Sequence, residues 1–214
     1  MNKKIAIIGH GGFGREVLTI INAINQIEPT WEMLGFFDDQ KENELIDEFP
    51  YLGSVSDINL VKTEVYLAVG IGISSVKKEI VSKITNPMIT FATLIHPSVI
   101  FGNPKSIKVG KGTIIGANSI ITTNVEIGNY VLLNLACTVG HDTIIRDYSS
   151  FMPTVNISGE VVVNAGVYVG TGVQIINQLQ IGEDTVIGAG SVVTKNLPAN
   201  CTAVGIPANI IKQR

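Results

Sequence analysis

The stretch Leu133-Asn134-Leu135-Ala136-Cys137-Thr138, Val139-Gly140-His141-Asp142-Thr143-Ile144 is one pattern written twice. Each hexapeptide opens on an aliphatic residue and carries a compact one four places later, Cys137 in the first and Thr143 in the second. Followed outward, the opening position runs Val109, Ile115, Ile121, Ile127, Leu133, Val139, Ile145, Phe151, Ile157, Val163, Val169, Ile175, Ile181, Ile187 and Val193, apolar at all fifteen. A period of six matches neither the 3.6 residues of an α-helix nor the two-residue alternation of a flat strand. It is the repeat of a parallel β-helix, in which one hexapeptide makes one short flat face and three faces close a coil. Fifteen hexapeptides from Val109 to Pro198 therefore predict five coils. The phase predicts that the opening residue and the one four later point inward, while the second to fourth positions make turns and outer surface. Those positions are mostly Gly, Asn, Thr, Asp and Lys, as turns require.

A chain of 214 residues with 45% hydrophobic residues and a mean hydropathy of +0.35 buries a substantial core. A net charge of −3 without any Lys/Arg run gives no electrostatic basis for binding nucleic acid or a membrane surface. The apolar run near Met1 to Ile8 stops at Gly9, too short for a leader or a span, so a cytoplasmic protein is expected. Cys137 falls on an inward position and Cys201 in the tail, which predicts reduced thiols, and no metal-binding cluster of His and Cys stands out.

Ahead of the repeat, Lys4-Ile5-Ala6-Ile7-Ile8 reads as a strand, Gly9-His10-Gly11-Gly12-Phe13-Gly14 as a glycine turn, and Arg15 to Ile24 as an amphipathic helix. Gly9, Gly11 and Gly14 satisfy G-x-G-x-x-G in the strand-turn-helix setting that binds phosphate on free helix N–H groups. Met33 to Phe37 is a second strand ending in Asp38-Asp39, and Val65 to Val69 a third ending in Gly70-Ile71-Gly72. These ends are where parallel α/β sheets bind ligands. Ser74 to Ile84 reads as a helix and Met88 to Ile95 as the closing strand. The unit is half the size a dinucleotide-binding domain needs, which argues against NAD. Two domains follow: 1–95, a small Rossmann-like α/β domain, and 96–214, the β-helix with its tail.

His96, beside Pro97, reads as a structural residue of the junction. His141 is the one histidine inside the repeat, at a third position that projects outward, with Asp142 next to it. An imidazole with a carboxylate neighbour is a candidate general base, because its ordinary pKa near 6.5 lets it accept a proton at neutral pH. Flat β-helix faces are commonly hidden by self-association, and a threefold assembly is the natural closure.

Five motifs together resemble the bacterial left-handed β-helix acyltransferases that place a nucleotide-binding domain before the helix, the nucleotide-4-amino-sugar N-acetyltransferases and their sialic-acid O-acetyltransferase relatives. They are Gly9 to Val17, Gly35-Phe36-Phe37-Asp38-Asp39, His96-Pro97-Ser98, Asn134 followed by Gly140-His141-Asp142, and Ala203-Val204-Gly205-Ile206-Pro207-Ala208. Left-handedness rests on the resemblance alone, since general crossover preferences favour the right-handed form. The resemblance implies a homotrimer with acetyl-CoA in a groove between neighbouring prisms, and a sugar amine attacking the thioester directly. His141 would take the amine proton, Asp142 tune the imidazole, and Asn134 help place the ring or the amine. Gly11, Gly12 and Phe13 would hold phosphate, Asp38 and Asp39 base or ribose, and Gly70 would lie at the next strand end. Ser150, Gly159, Thr171 and Ala189 would meet the coenzyme, without a metal. The implied substrate is a nucleotide-linked amino sugar, UDP-4-amino-4,6-dideoxy sugar first, in surface polysaccharide biosynthesis. The chain departs from the family at Asp142, where many members have Glu, at Ser150, where many have His, and at Asn209, where Lys or Arg is usual. Two alternatives keep the fold: O-acetylation of a sialic acid or related sugar, and a non-catalytic β-helix scaffold.

Overall fold

In a computed structural model the chain is described over residues 2–40, 45–46 and 48–213, so Met1 and Arg214, the outer limits of the two expected domains, lie outside the described residues. The first part is an α/β sheet: β1 (Lys3–Ile8), α1 (Gly12–Ile27), β2 (Trp31–Phe37), β3 (Leu45–Ile46), β4 (Phe49–Gly53), β5 (Val65–Val69), α2 (Ser74–Lys83) and β6 (Ile89–Phe91). The strand order is β3-β4-β2-β1-β5-β6, parallel except for the β3–β4 hairpin. β1 sits between β2 and β5, so the chain winds outward to both sides from it. The turn after β1 is therefore the point at which such sheets open a crevice.

The rest of the chain is a left-handed parallel β-helix, mostly of two- and three-residue strands, in three stacked sheets of eight, six and five strands; the eight-stranded sheet ends in the longer strands Cys201–Val204 and Asn209–Gln213, the last antiparallel. Through the body of the prism each residue pairs with the one eighteen places on, as Ile114 with Leu132 and Leu132 with Ser150. The inward positions behave as the phase demands: Ile115, Ile121, Val139 and Phe151 are fully buried, and so are Thr113, Ser119, Thr143 and Ser149, whose hydroxyls donate to carbonyls of the wall. Cys137 and Cys201 are free and buried, and burial pushes the Cys137 thiol up to about 11. From Gly112 to Gly190 each corner is made by a fourth-position residue at positive φ, among them Asn118, Asn124, Ala136 and Asp142. This left-handed conformation suits Asn and Asp better than larger residues.

The expected closing strand Met88 to Ile95 is divided. Ile89–Phe91 joins the α/β sheet, whereas Leu94–Ile95 pairs with Ile114–Ile115 and starts the eight-stranded face. The cause is apolar surface on the outside of that face. Leu94, Ile114 and Leu132 point outward yet are buried, packed under Val17, Leu18, Ile20 and Ile21 of α1. Further along the same face α2 docks, with Ser74 Oγ donating to the Val167 carbonyl at 3.0 Å. The α/β part thus lies along one face of the prism and leaves the other two faces uncovered by it. Among the described residues no helix is long and apolar enough to cross a membrane.

Candidate active site

The three faces define three edges, and the site is best described by edge. The first edge, between the eight- and six-stranded faces, carries residues 116–118, 134–136, 152–154, 170–172 and 188–190. The second, between the six- and five-stranded faces, carries residues 122–124, 140–142, 158–160 and 176–178. His141 projects from the second edge with 56% of its side chain exposed, and Asp142 beside it with 48%. Asp142 has a φ of 58°, and this corner turns its carboxylate back so that Oδ2 lies 2.7 Å from His141 Nδ1. Its shorter side chain therefore reaches the ring. The other oxygen, Oδ1, accepts a hydrogen bond from Asn124 Nδ2, one coil earlier. That bond first and the His141 contact second hold the Asp142 carboxyl below its ordinary value.

With Nδ1–H directed at the carboxylate, Nε2 carries the lone pair and can accept a proton. The ring rests over Gly159: a Cβ there would fall 2.5 Å from Nε2. Gly159 is thus needed for the position of the imidazole. Asn134 is on the first edge, not the second. It is buried, its Oδ1 accepts from the Leu135 amide at 2.7 Å, and it lines a cleft of about 140 Å³ with Phe13, Glu16, His96, Ala117 and Leu135. Within one chain, therefore, Asn134 and His141 occupy different edges. His96 is held at the cleft by Ser98, whose amide donates to Nδ1 at 3.1 Å.

The expected coenzyme residues divide likewise. Gly159 is on the second edge, while Thr171 and Ala189 are exposed on successive coils of the first. Ser150 is elsewhere. It is fully buried under α2, its Oγ accepts from Lys77 Nζ at 2.8 Å, and within this chain it has no accessible atom. Nothing in the sequence pattern pointed to Lys77, which reaches this face across 73 residues of chain. Burial pushes its ammonium down to about 7.

At the sheet end the glycines separate into two kinds. A Cβ on Gly14 would fall 1.9 Å from the Gly9 carbonyl oxygen, and one on Gly70 2.7 Å from Gly14 Cα, so these glycines are required by the close approach of strand ends and helix. Gly70 is also buried, its amide donating to Ile8 at 2.7 Å, which makes it a packing residue of the crevice floor. Gly11 and Gly12 are exposed with no atom within 4 Å of a notional Cβ, at the start of α1 where no side chain caps the helix. That start is open to an anion. Asp38 and Asp39 ring the crevice but have internal partners. Asp38 Oδ2 accepts from the His10 amide at 2.9 Å and lies 2.7 Å from His10 Nδ1, while Asp39 Oδ1 accepts from the Val55 amide. Partial burial works against ionisation of Asp38, but hydrogen bonds from Gln40 and His10 keep its carboxyl below the ordinary value. A larger groove of about 580 Å³, between the start of α2 and the prism, contains none of the expected site residues.

Residues 4–84 match the family model described as the PglD N-terminal domain. The chain is 32% identical over 215 residues to GDP-perosamine N-acetyltransferase of Escherichia coli O157:H7, covering 97% of this chain and 96% of that one. Among solved structures it resembles the acetyltransferase domain of PglB from Neisseria gonorrhoeae FA1090 in complex with acetyl coenzyme A, at 25% identity and a TM-score of 0.89 over 99% of this chain and 100% of that one. A variant of perosamine N-acetyltransferase from Caulobacter crescentus, in complex with CoA and GDP-perosamine, superposes with a TM-score of 0.86 at 25% identity over 98% and 97% of the two chains. An uncovered His-Asp pair on a β-helix edge, an open glycine turn at the head of a half-size α/β sheet, and this full-length likeness agree: the chain belongs to the hexapeptide-repeat N-acetyltransferases of nucleotide-linked amino sugars.

Proposed function

We propose that the chain transfers the acetyl group of acetyl-CoA to the amine of a nucleotide-linked 4-amino-4,6-dideoxy sugar, with His141 as general base and Asp142 as the carboxylate that orients it. The observation that carries this reading is the 2.7 Å contact of His141 Nδ1 with Asp142 Oδ2 on an exposed edge, which leaves Nε2 to accept a proton. In the transfer the amine nitrogen bonds to the thioester carbonyl carbon and the C–S bond breaks; the one proton the amine gives up goes to His141 Nε2 and from there, directly or by exchange with water, to the departing CoA sulfur, which leaves as the thiol. The sugar's diphosphate fits the open amides of Gly11, Gly12 and Phe13, with Asp38 and Asp39 at the rim toward ribose or base. UDP is the nucleotide expected from the resemblance; the GDP-perosamine of the relatives named above is the second reading.

A homotrimer completes this scheme. His141 and Gly159 lie on one edge, while Asn134, Thr171 and Ala189 lie on another, so a groove between two prisms joins both sets where one chain does not. Acetyl-CoA would lie in that groove, and a cytoplasmic place in surface polysaccharide biosynthesis fits a reaction that draws on it. The test is thiol release from acetyl-CoA with GDP-, UDP- and dTDP-linked 4-amino sugars. The His141→Ala enzyme is expected to lose about 10²–10⁴-fold in kcat with unchanged thermal unfolding. Parental turnover in that variant removes His141 from the mechanism, and no thiol release with any of the sugars refutes the acceptor class.

A further inference from the structure

We propose that Asn124 is a positioning residue: from the coil before the catalytic pair it holds Asp142, and through Asp142 it sets which nitrogen of His141 faces the amine. The inference rests on the reading of His141 as general base. His141 and Asp142 are adjacent in sequence and half exposed, and beyond the Gly159 backbone under the ring little packing keeps the two side chains in one geometry. What restrains them is polar. Asn124 Nδ2 donates to Asp142 Oδ1, which leaves Oδ2 for His141 Nδ1. A carboxylate only accepts, so the amide's donor end is the one that faces it. Asn124 is itself anchored: its own amide donates to Ser106 Oγ at 2.9 Å, and Ser106 Oγ donates to the Asn103 carbonyl at 3.1 Å. The Asp142 amide donates to the Thr123 carbonyl at 3.2 Å, tying the same two corners through the main chain.

The result is a column along the second edge, Ser106 to Asn124 to Asp142 to His141, ending on the Gly159 backbone that the ring covers. The titratable groups of this edge are Lys105, His141, Asp142 and Glu160; Lys105 is exposed beside Ser106 at the start of the column, and Glu160 is occupied by Gln178, whose Nε2 donates to it at 3.1 Å. Asn124 is neutral, so it restrains the carboxylate without quenching the charge that His141 uses. Without the amide, Asp142 can turn away, and a share of the neutral imidazole then carries its proton on Nε2, the nitrogen that must accept.

The experiment compares kcat, KM and the ¹⁵N NMR shifts of the His141 ring in Asn124→Ala, Asp142→Ala and the double variant, with His141→Ala as the kinetic reference, all in the full-length protein. Alanine is tolerated at this kind of corner, since Ala136 holds one with a φ of 54°. Asn124→Gly, which carries no left-handed penalty, serves as the second variant. The expected result is a fall in kcat of about tenfold or more, with KM for both substrates within about twofold of the parent. The ¹⁵N shifts of the His141 ring should show the proton shared between Nδ1 and Nε2, as in Asp142→Ala, and Asn124→Ala should cost nothing further when Asp142 is already alanine. A merely structural asparagine would change the unfolding temperature and leave the tautomer in place. A silent His141→Ala overturns the base reading and the inference with it. An inactive His141→Ala beside fully active Asn124 variants, or losses that add in the double variant, overturn the inference alone.

Discussion

Lys77→Met tests how the α/β part is fastened to the prism. Lys77 is on the buried side of α2, with its Nζ 2.8 Å from Ser150 Oγ and 3.4 Å from the Ser149 carbonyl, two neutral partners that do not balance its charge. Burial therefore moves its titration from 10.5 to about 7 in the folded chain, while the unfolded chain keeps the ordinary value. Between those two values the folded side chain is neutral and the unfolded one still protonated. The folded state then binds fewer protons, so stability rises with pH by about 1.4 kcal/mol per pH unit. The gain is complete above pH 10.5 and lost as pH falls through about 7, on the order of 5 kcal/mol in all. Methionine has similar length and no proton to lose. In urea unfolding at one fixed protein concentration, the parent should gain about 2–3 kcal/mol on the variant between about pH 7.5 and 9.5, with m unchanged. Parallel pH dependences for the two proteins would mean that Lys77 is not desolvated as the docked helix requires.

Two further perturbations separate fold from site. Gly159→Ala puts a methyl group where His141 Nε2 now lies, 2.5 Å away; the half-exposed ring can swing aside, so the melting temperature should hold while kcat falls by about 10²-fold. Gly14→Ala and Gly12→Ala are neighbours with opposite expectations. The Gly14 methyl meets backbone oxygen at 1.9 Å and should prevent folding of the sheet end, whereas the Gly12 methyl meets nothing. Gly12→Ala should leave thermal stability equal or slightly higher, by up to about 1 kcal/mol of helix propensity, and weaken nucleotide-sugar affinity in calorimetry. Unchanged affinity would remove the glycine turn from the binding surface.

The six-residue period made the prism legible down to single side chains, including the buried Cys137 and the outward His141, because inward packing repeats once per face. The partners within the site repeat once per coil. Asn124 lies eighteen residues before Asp142, and Gly159 eighteen after His141, so a hexapeptide reading sees neither as a neighbour. The same interval explains the missed docking face: Ile114 and Leu132 are apolar at outward positions one coil apart, a signal that only the longer repeat collects. Lys77 and Ser150 left no periodic trace at all, because their contact arises from two separately folded elements meeting. Asp38 and Asp39 were visible as strand-end carboxylates, but their bonds to His10 and Val55 depend on loops whose course the strand pattern does not fix.

The corners at positive φ recur at every sixth residue of the wall, but an edge recurs only at every eighteenth. The chain therefore counts in two moduli. Losing or gaining six residues keeps apolar side chains on the axis and a left-handed corner in each turn, and the solenoid closes as before. Every residue downstream, however, shifts by one edge: a six-residue deletion between His141 and Thr171 moves Thr171 and Ala189 to the edge before their own. Length changes of eighteen add or remove a storey and leave each edge with its residues. Stability and address are thus separable in this architecture, and only indels of whole coils preserve both.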